Sequence, residues 1–403
     1  MQVKIKQGSA RGEIAAPPSK SMAHRLLIAA AMSEGESTVR GIAPSADVLA
    51  TLDCIRALGA EAELCADTAR VRGVNMRNTS PKEPLFCRES GSTLRFLIPV
   101  AWLSGNQTIL RGAPSLMRRP MDIYENLAHE KGIGFVKCGD GITVCGPLTA
   151  GDYRVAGNVS SQFISGLLFA LPLADGDSRI LLTPPVESRS YIDLTVAALR
   201  TFGVEVAWES ETVLYIKGGQ TYRARECEVE GDYSNAAFLE AFNLLGGEVT
   251  VTGLAEDSLQ GDRVYRACFE ALREGRPTLS IGDCPDLGPI LFTLAAALNG
   301  ATFTGTRRLR IKESDRVETM TEELAKFGAR FEIGEDSVTV LPTRITAPTQ
   351  PLTGHNDHRI VMSCAVLATL TGGVIEGAEA VRKSFPDFFD RIRKLGLEVE
   401  GDL

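Results

Sequence analysis

Little in this chain points to a metal, a disulfide or a nucleotide. The nine cysteines are an odd number and no two stand as C-x-x-C, so neither a disulfide framework nor a zinc site is implied. The four histidines, His24, His129, His355 and His358, include no i, i+4 pair, and although His355 and His358 fall three apart, no metal is assigned to them. No G-x-G-x-x-G follows a strand pattern and no G-x-x-x-x-G-K-[ST] occurs, which removes the usual fingerprints of NAD and ATP. Apolar runs are short: Phe163 to Ala174 cannot span a bilayer, and Met1-Gln2-Val3-Lys4-Ile5-Lys6 lacks the apolar region of an export signal. The chain is therefore expected in the cytoplasm, away from membranes. Basic residues are a minority, 43 against 51 acids for a net charge of -8, which argues against nucleic acid and requires any anion site to be local.

What is present is an ordinary globular composition, 44% hydrophobic and 23% charged, over 403 residues, a length that suits two domains. One stretch stands out near the start, Pro17-Pro18-Ser19-Lys20-Ser21-Met22-Ala23-His24-Arg25. It reads as a helix start built to hold an anion: the prolines stiffen the approach, Ser19 or Ser21 caps, and the first-turn N–H groups carry the positive end of the helix dipole. Lys20 and Arg25 add full positive charge to that end, where Asp or Glu is the rule.

One pattern recurs six times: polar cluster, apolar helix, strand, amphipathic helix, then glycine and a strand. The amphipathic helices end at Gly59, Gly132, Gly203, Gly275, Gly328 and Gly396, at intervals of 73, 71, 72, 53 and 68 residues, where glycine is expected to supply a left-handed stop. The short interval implies that the fourth copy has lost a hairpin. The apolar helices (Leu26–Met32, Leu94–Leu103, Phe163–Leu173, Ala236–Leu245, Leu287–Leu298 and Ile360–Leu370) are apolar around nearly the whole circumference, so they belong inside. The last copy stops near Leu397-Glu398-Val399 without a closing strand, and the first strand, around Val3 to Ile5, is expected to complete it. The chain would then cross between domains near Pro17-Pro18 and near Glu228-Val229-Glu230. This divides it into a discontinuous domain, 1–18 with 229–403, and an inserted domain, 19–228. Two crossings make a hinge, and a hinged cleft suits closure on a ligand.

Each apolar helix is preceded by a polar cluster: Ser19-Lys20-Ser21, Glu89-Ser90-Gly91-Ser92-Thr93, Ser160-Ser161-Gln162, Asp232-Tyr233-Ser234-Asn235, Asp283-Cys284-Pro285-Asp286 and His355-Asn356-Asp357-His358. Beside them stand Arg95, Arg118, Arg119, Lys312, Arg316, Arg359 and Lys383. Homologous copies would point these helix starts the same way and form a positive funnel, which implies a small substrate with several negative charges. Taken singly, Ser234 and Asp357 read as ordinary helix caps.

These clusters contain S-K-S-x-x-x-R (Ser19 to Arg25), S-G-S-T-x-R (Ser90 to Arg95), R-P (Arg119-Pro120), S-S-Q-F (Ser160 to Phe163), K-E-S-D-R (Lys312 to Arg316), N-D-H-R (Asn356 to Arg359) and K-S-F-P-D (Lys383 to Asp387). Together they resemble the 5-enolpyruvylshikimate-3-phosphate synthase family over nearly the whole chain. The resemblance implies an α/β fold of two similar domains, each of three βαβαββ units with inward apolar helices, an inside-out α/β barrel, and a cleft between them. It also implies transfer of the enolpyruvyl group of phosphoenolpyruvate to the 5-hydroxyl of shikimate 3-phosphate by a monomer, without metal or organic cofactor.

Carried over by position, shikimate 3-phosphate would be bound by Lys20, Ser21, Arg25, Ser160, Ser161, Gln162, Ser188, Tyr191, Asp286 and Lys312, and phosphoenolpyruvate by Lys20, Gly91, Arg119, Gln162, Arg316, Arg359 and Lys383. Asp286 would take the hydroxyl proton, Glu313 and Lys20 would exchange the proton at carbon, and Lys383 and His358 would stand near the departing phosphate. Gly91 would face phosphoenolpyruvate or its mimic glyphosate. Two positions depart from the family pattern: Glu89 and Arg308 stand where asparagine is common. A related enzyme, UDP-N-acetylglucosamine enolpyruvyltransferase, carries a reactive cysteine where this chain has Pro114. A reading from another class is a hinged, non-catalytic binder of phosphorylated metabolites, which would need the cations but not Asp286, Glu313 or His358.

Overall fold

Buried and exposed side chains alternate along the strands, as on Gln2–Ile5, where Val3 and Ile5 point inward, and on Gly141–Cys145, where Ile142 and Val144 do. The computed structural model describes residues 1–401. These strands assemble into sheets of one recurring plan. In the third copy, Gly151–Ala156 lies parallel to Ser178–Thr183, which pairs antiparallel with Val213–Ile216, which in turn pairs antiparallel with Val206–Ser210. An apolar helix, Ser161–Ala170, makes the crossover between the parallel pair, and an amphipathic helix, Arg189–Thr201, leads into the hairpin. Five four-stranded sheets follow this order. The fourth copy has only the parallel pair, Arg11–Ala15 with Glu248–Thr252, so the hairpin missing from its short sequence interval is missing from its sheet.

The sixth sheet is completed by the strand that begins the chain: Gln2–Ile5 lies between Gly373–Glu376 and Val399–Gly401, antiparallel to both. The strands beside the crossings trade places. Arg11–Ala15 precedes the first apolar helix but pairs with Glu248–Thr252, whereas Glu226–Glu228 precedes the fourth apolar helix but pairs with Glu36–Arg40. Two compact units result, Met1–Pro17 with Gly231 onward, and Pro18–Glu230. The first crossing thus falls one residue earlier, and the second two residues later, than the boundaries drawn from sequence. Each unit has its own hydrophobic core, and no residue belongs to both.

The apolar helices fill those cores. Nine of the ten residues of Ser161–Ala170 are buried, and all eleven of His358–Ala368 are. Glycine ends the amphipathic helices with positive φ at Gly59, Gly132, Gly203, Gly328 and Gly396. Gly275 differs: its φ of 175° is extended backbone that any residue adopts, and it lies in the copy that has no hairpin to turn into.

Candidate active site

Five of the apolar helices start earlier than their hydrophobic runs. They begin at Lys20, Gly91, Ser161, Tyr233 and His358, so in these five the polar cluster forms the first turn itself. The cause is a side-chain cap one residue upstream. Ser19 accepts from the Met22 N–H, Ser90 from Thr93, Ser160 from Gln162, Asp232 from Asn235 and Asp357 from Arg359. Ser234 is therefore inside its helix and is not the cap. The fifth helix, Gly288–Ala297, has no side-chain cap. Its cluster carries Asp286 in a 3-10 turn, and that carboxylate is committed to cations.

In the discontinuous unit, Asp286 Oδ1 accepts from Lys312 Nζ at 3.2 Å and from the Arg316 guanidinium at 2.9 Å, while its Oδ2 lies 3.5 Å from Arg359. Arg316 is 1% exposed and also donates to Glu313 at 2.8 Å and to both oxygens of Asp357 at 2.8 and 3.2 Å. Burial alone would lower its pKa, but Asp357, Glu313 and Asp286 carry it above the ordinary value, so this guanidinium stays charged. Lys312 moves the other way. Burial lowers its pKa, with Arg316 and Arg308 adding to the effect and Asp286 opposing it. Arg308 itself is buried and donates to the Gly282 carbonyl. Lys383 donates to the Asn356 carbonyl, and His358, 2% exposed, has Nδ1 3.8 Å from Asp357. Four cations, Lys312, Arg316, Arg359 and Lys383, thus share the cluster with three carboxylates, Asp286, Glu313 and Asp357. Asp286 and Glu313 are expected among these cations from sequence; Asp357, which reads there only as a cap, adds a third carboxylate. The balance follows from burial, because an unpaired buried guanidinium is far costlier than a paired one.

His355 and His358, three apart in sequence, face different partners. His355 leaves the cluster and hydrogen-bonds Glu323 at 2.7 Å. Glu323 is fully buried and also accepts from Lys326 at 2.9 Å on both oxygens and from the Thr353 N–H at 2.8 Å. With Glu322 these residues group donors suited to a cation, but the Lys326 ammonium on both carboxylate oxygens occupies the place a metal would take. Burial pushes the Glu323 carboxyl up, yet His355, Lys326 and the Thr353 N–H together hold it below the ordinary 4.5, and Glu323 in turn holds His355 above 6.5. The pair therefore contributes fully between pH 4.5 and 6.5, and fades as pH falls through the lowered carboxyl value or rises through the raised imidazole value. An NMR titration of His355 should show its inflection above 6.5, moving back toward 6.5 in Glu323→Gln.

In the inserted unit, Lys20 ion-pairs with Asp47 at 2.8 Å. Arg25 is 2% exposed and donates to Thr195 Oγ1 and to the Ser21 and Tyr191 carbonyls, so it fastens its own helix to Arg189–Thr201. Burial lowers its pKa to about 10, still charged at neutral pH. His24 is buried against Thr51, and burial, with Lys20 and Arg25, keeps its pKa well below the ordinary value, so it is a neutral core residue. Ser188 precedes Arg189–Thr201 with a left-handed backbone, φ 55°, and its carbonyl accepts from the Tyr191 N–H at 3.1 Å.

The second and third apolar helices of this unit touch so closely that their starts form one surface. At Gly166 an added Cβ would collide with the Arg95 carbonyl of the neighbouring helix and with the Tyr124 hydroxyl that hydrogen-bonds that carbonyl. That approach lets Gln162, beside Ser160 and Ser161, reach Ser92 at 3.0 Å and accept from Arg95 at 2.8 Å. Gly91 lies in the same group. A Cβ there would come within 2.8 Å of the Arg119 guanidinium and 3.4 Å of Gln162. Arg119 is half-buried and its neighbour Arg118 exposed. Pro114 opens the short helix Pro114–Met117, and Ser115 donates to Glu89.

Sequence reasoning passed over Asp47, Glu323, Thr195 and the ion-pairing role of Asp357. Asp47 looks like a first-turn dipole residue and Asp357 like a cap, and their second partners lie 27 and 41 positions away.

Residues 5–392 match the pattern of the EPSP synthase (3-phosphoshikimate 1-carboxyvinyltransferase) family. The chain is 39% identical to the 3-phosphoshikimate 1-carboxyvinyltransferase of Clostridium kluyveri, covering 99% of this chain and 98% of that protein. It is 38% identical to that of Clostridium beijerinckii, covering 98% and 97%. The fold is similar to that of an EPSP synthase from Acinetobacter baumannii, with a TM-score of 0.79, 23% identity and coverage of 99% and 100%. Among the described residues no helix is long and apolar enough to cross a membrane.

Proposed function

The chain belongs to the EPSP synthase family, and on that premise we propose how its residues divide the reaction. The activity is transfer of the enolpyruvyl group of phosphoenolpyruvate to the 5-hydroxyl of shikimate 3-phosphate, giving 5-enolpyruvylshikimate 3-phosphate and phosphate, a step of aromatic amino acid biosynthesis. Two proton movements are needed. The hydroxyl loses a proton as its oxygen bonds to C2 of phosphoenolpyruvate while C3 gains one, and C3 then loses a proton as the C2–O bond to phosphate breaks.

The observation that carries the assignment is Asp286, a carboxylate held against Lys312, Arg316 and Arg359 instead of capping its helix. Its position among groups that would hold the substrates places a carboxylate where the hydroxyl proton can be accepted. Glu313, tied to Arg316, and Lys20, tied to Asp47, exchange the proton at C3. Lys383 and His358 serve the departing phosphate. Arg119, Arg316, Arg359, Lys383, Lys20, Gln162 and Gly91 form the phosphoenolpyruvate site. Ser21, Arg25, Ser160, Ser161, Gln162, Ser188, Tyr191, Lys20, Lys312 and Asp286 form the shikimate 3-phosphate site. The enzyme works as a cytoplasmic monomer.

Gly91 provides the test. The space a side chain would fill is bounded by Arg119 and Gln162. Gly91→Ala should raise KM for phosphoenolpyruvate and Ki for glyphosate by about tenfold, the scale of an overpacked site, and leave shikimate 3-phosphate affinity nearly unchanged. Steady-state phosphate release with each substrate varied in turn reads both numbers, and equal losses would show that the glycine serves only its loop.

A further inference from the structure

One helix holds the segment before the last apolar helix at two points. Arg316 and Glu323 lie seven residues, two turns, apart on Arg316–Ala325. Arg316 grips Asp357, whereas Glu323 grips the Thr353 N–H and the His355 ring. Lys326, one turn further on, donates to the Pro351 carbonyl. Between these anchors the chain makes an unusual turn: His355 and Asn356 both have left-handed backbones, φ 46° and 52°, and neither is glycine. Two such residues in succession persist only where the surroundings impose them. The turn ends in useful groups. The Asn356 carbonyl accepts from Lys383, the Asp357 carboxylate binds Arg316 and caps the helix, and His358 and Arg359 follow.

We propose that Glu323 and His355 are positioning residues: their hydrogen bond imposes the left-handed turn that holds Lys383 and Arg316 where phosphoenolpyruvate needs them. The anchor is well made for this. The Glu323 carboxylate is fully buried with all its acceptor directions turned to Lys326, Thr353 and His355, so it has little freedom to follow a shifting turn. His355, by contrast, is 20% exposed and can be changed without opening the core. The charged groups facing its ring are Glu323, Glu322 at 3.9 Å, and Lys326 through the shared carboxylate.

The inference rests on Lys383 and Arg316 serving phosphoenolpyruvate, and the experiment separates the two. His355→Ala should raise KM for phosphoenolpyruvate by about tenfold or more, the scale of a misplaced binding group, with KM for shikimate 3-phosphate unmoved. His355→Gln, whose amide still donates to Glu323, should recover most of that loss. A residue that only supports the fold would lower the amount of active enzyme, and so kcat, at unchanged KM. Hydrogen exchange supplies a readout apart from activity: the Asp357 and Arg359 amides should exchange faster in His355→Ala while those of Gly288–Ala297 do not. Lys383→Ala is measured alongside. A large KM effect in Lys383→Ala with none in His355→Ala, or a glutamine variant no better than alanine, would overturn the positioning role alone. An unmoved KM in Lys383→Ala would overturn the underlying assignment with it.

Discussion

Asp286→Asn and Glu313→Gln should each cost about two or more powers of ten in turnover, the scale of acid–base groups, while shikimate 3-phosphate binds as tightly as before or more tightly. The two effects part because both carboxylates oppose the charge of an anionic substrate. Asp286 contacts Lys312, Arg316 and Arg359, so its neutralisation leaves those cations freer to bind anions. A protein that only bound phosphorylated metabolites would lose nothing by either change. Calorimetry with shikimate 3-phosphate and phosphate-release rates on the same preparations decide the matter, with circular dichroism to exclude unfolding. Full turnover in both folded variants would remove these residues from the mechanism.

The second large effect concerns stability. Arg316→Met leaves Asp357, itself fully buried, without the guanidinium that contacts both its oxygens, and strips a partner from Glu313 and Asp286. Breaking a buried pair from one side costs about 3–5 kcal/mol. Urea unfolding followed by far-ultraviolet circular dichroism should show that loss in the discontinuous unit. Both tryptophans, Trp102 and Trp208, belong to the inserted unit, so their fluorescence reports that unit alone. Adding Asp357→Asn to Arg316→Met should recover part of the loss, because the stranded charge is then gone. A deficit below about 1 kcal/mol would mean that water or neighbouring groups already satisfy Asp357.

Much of the architecture was legible because it is written in local terms that repeat. Six glycine stops, six apolar helices and one short interval are enough to count the units and to find the missing hairpin. The exchange of Arg11–Ala15 and Glu226–Glu228 was not legible, since strand partners hundreds of residues apart leave no periodic mark. The site divides in the same way. Lys20, Gln162, Asp286 and Arg316 announce themselves by breaking local rules or standing in dense motifs, whereas their partners Asp47 and Asp357 obey local rules and so look ordinary. Arg25 shows the limit from the other side. Its motif reads only as a cation offered to a substrate, and the second task, fastening two helices through Thr195, Ser21 and Tyr191, leaves no mark in the sequence.

The strand Gln2–Ile5, seated between Gly373–Glu376 and Val399–Gly401, gives the order of synthesis a physical meaning. It leaves the ribosome hundreds of residues before either neighbour exists, and its unpaired N–H and C=O groups must wait for both. The inserted unit, continuous in sequence, has everything it needs once Glu230 has emerged. The discontinuous unit does not, since its sixth sheet requires both the earliest strand and Val399–Gly401. A nascent chain stalled beyond Glu230 thus carries one unit with all its strands and a first strand that still lacks both its partners.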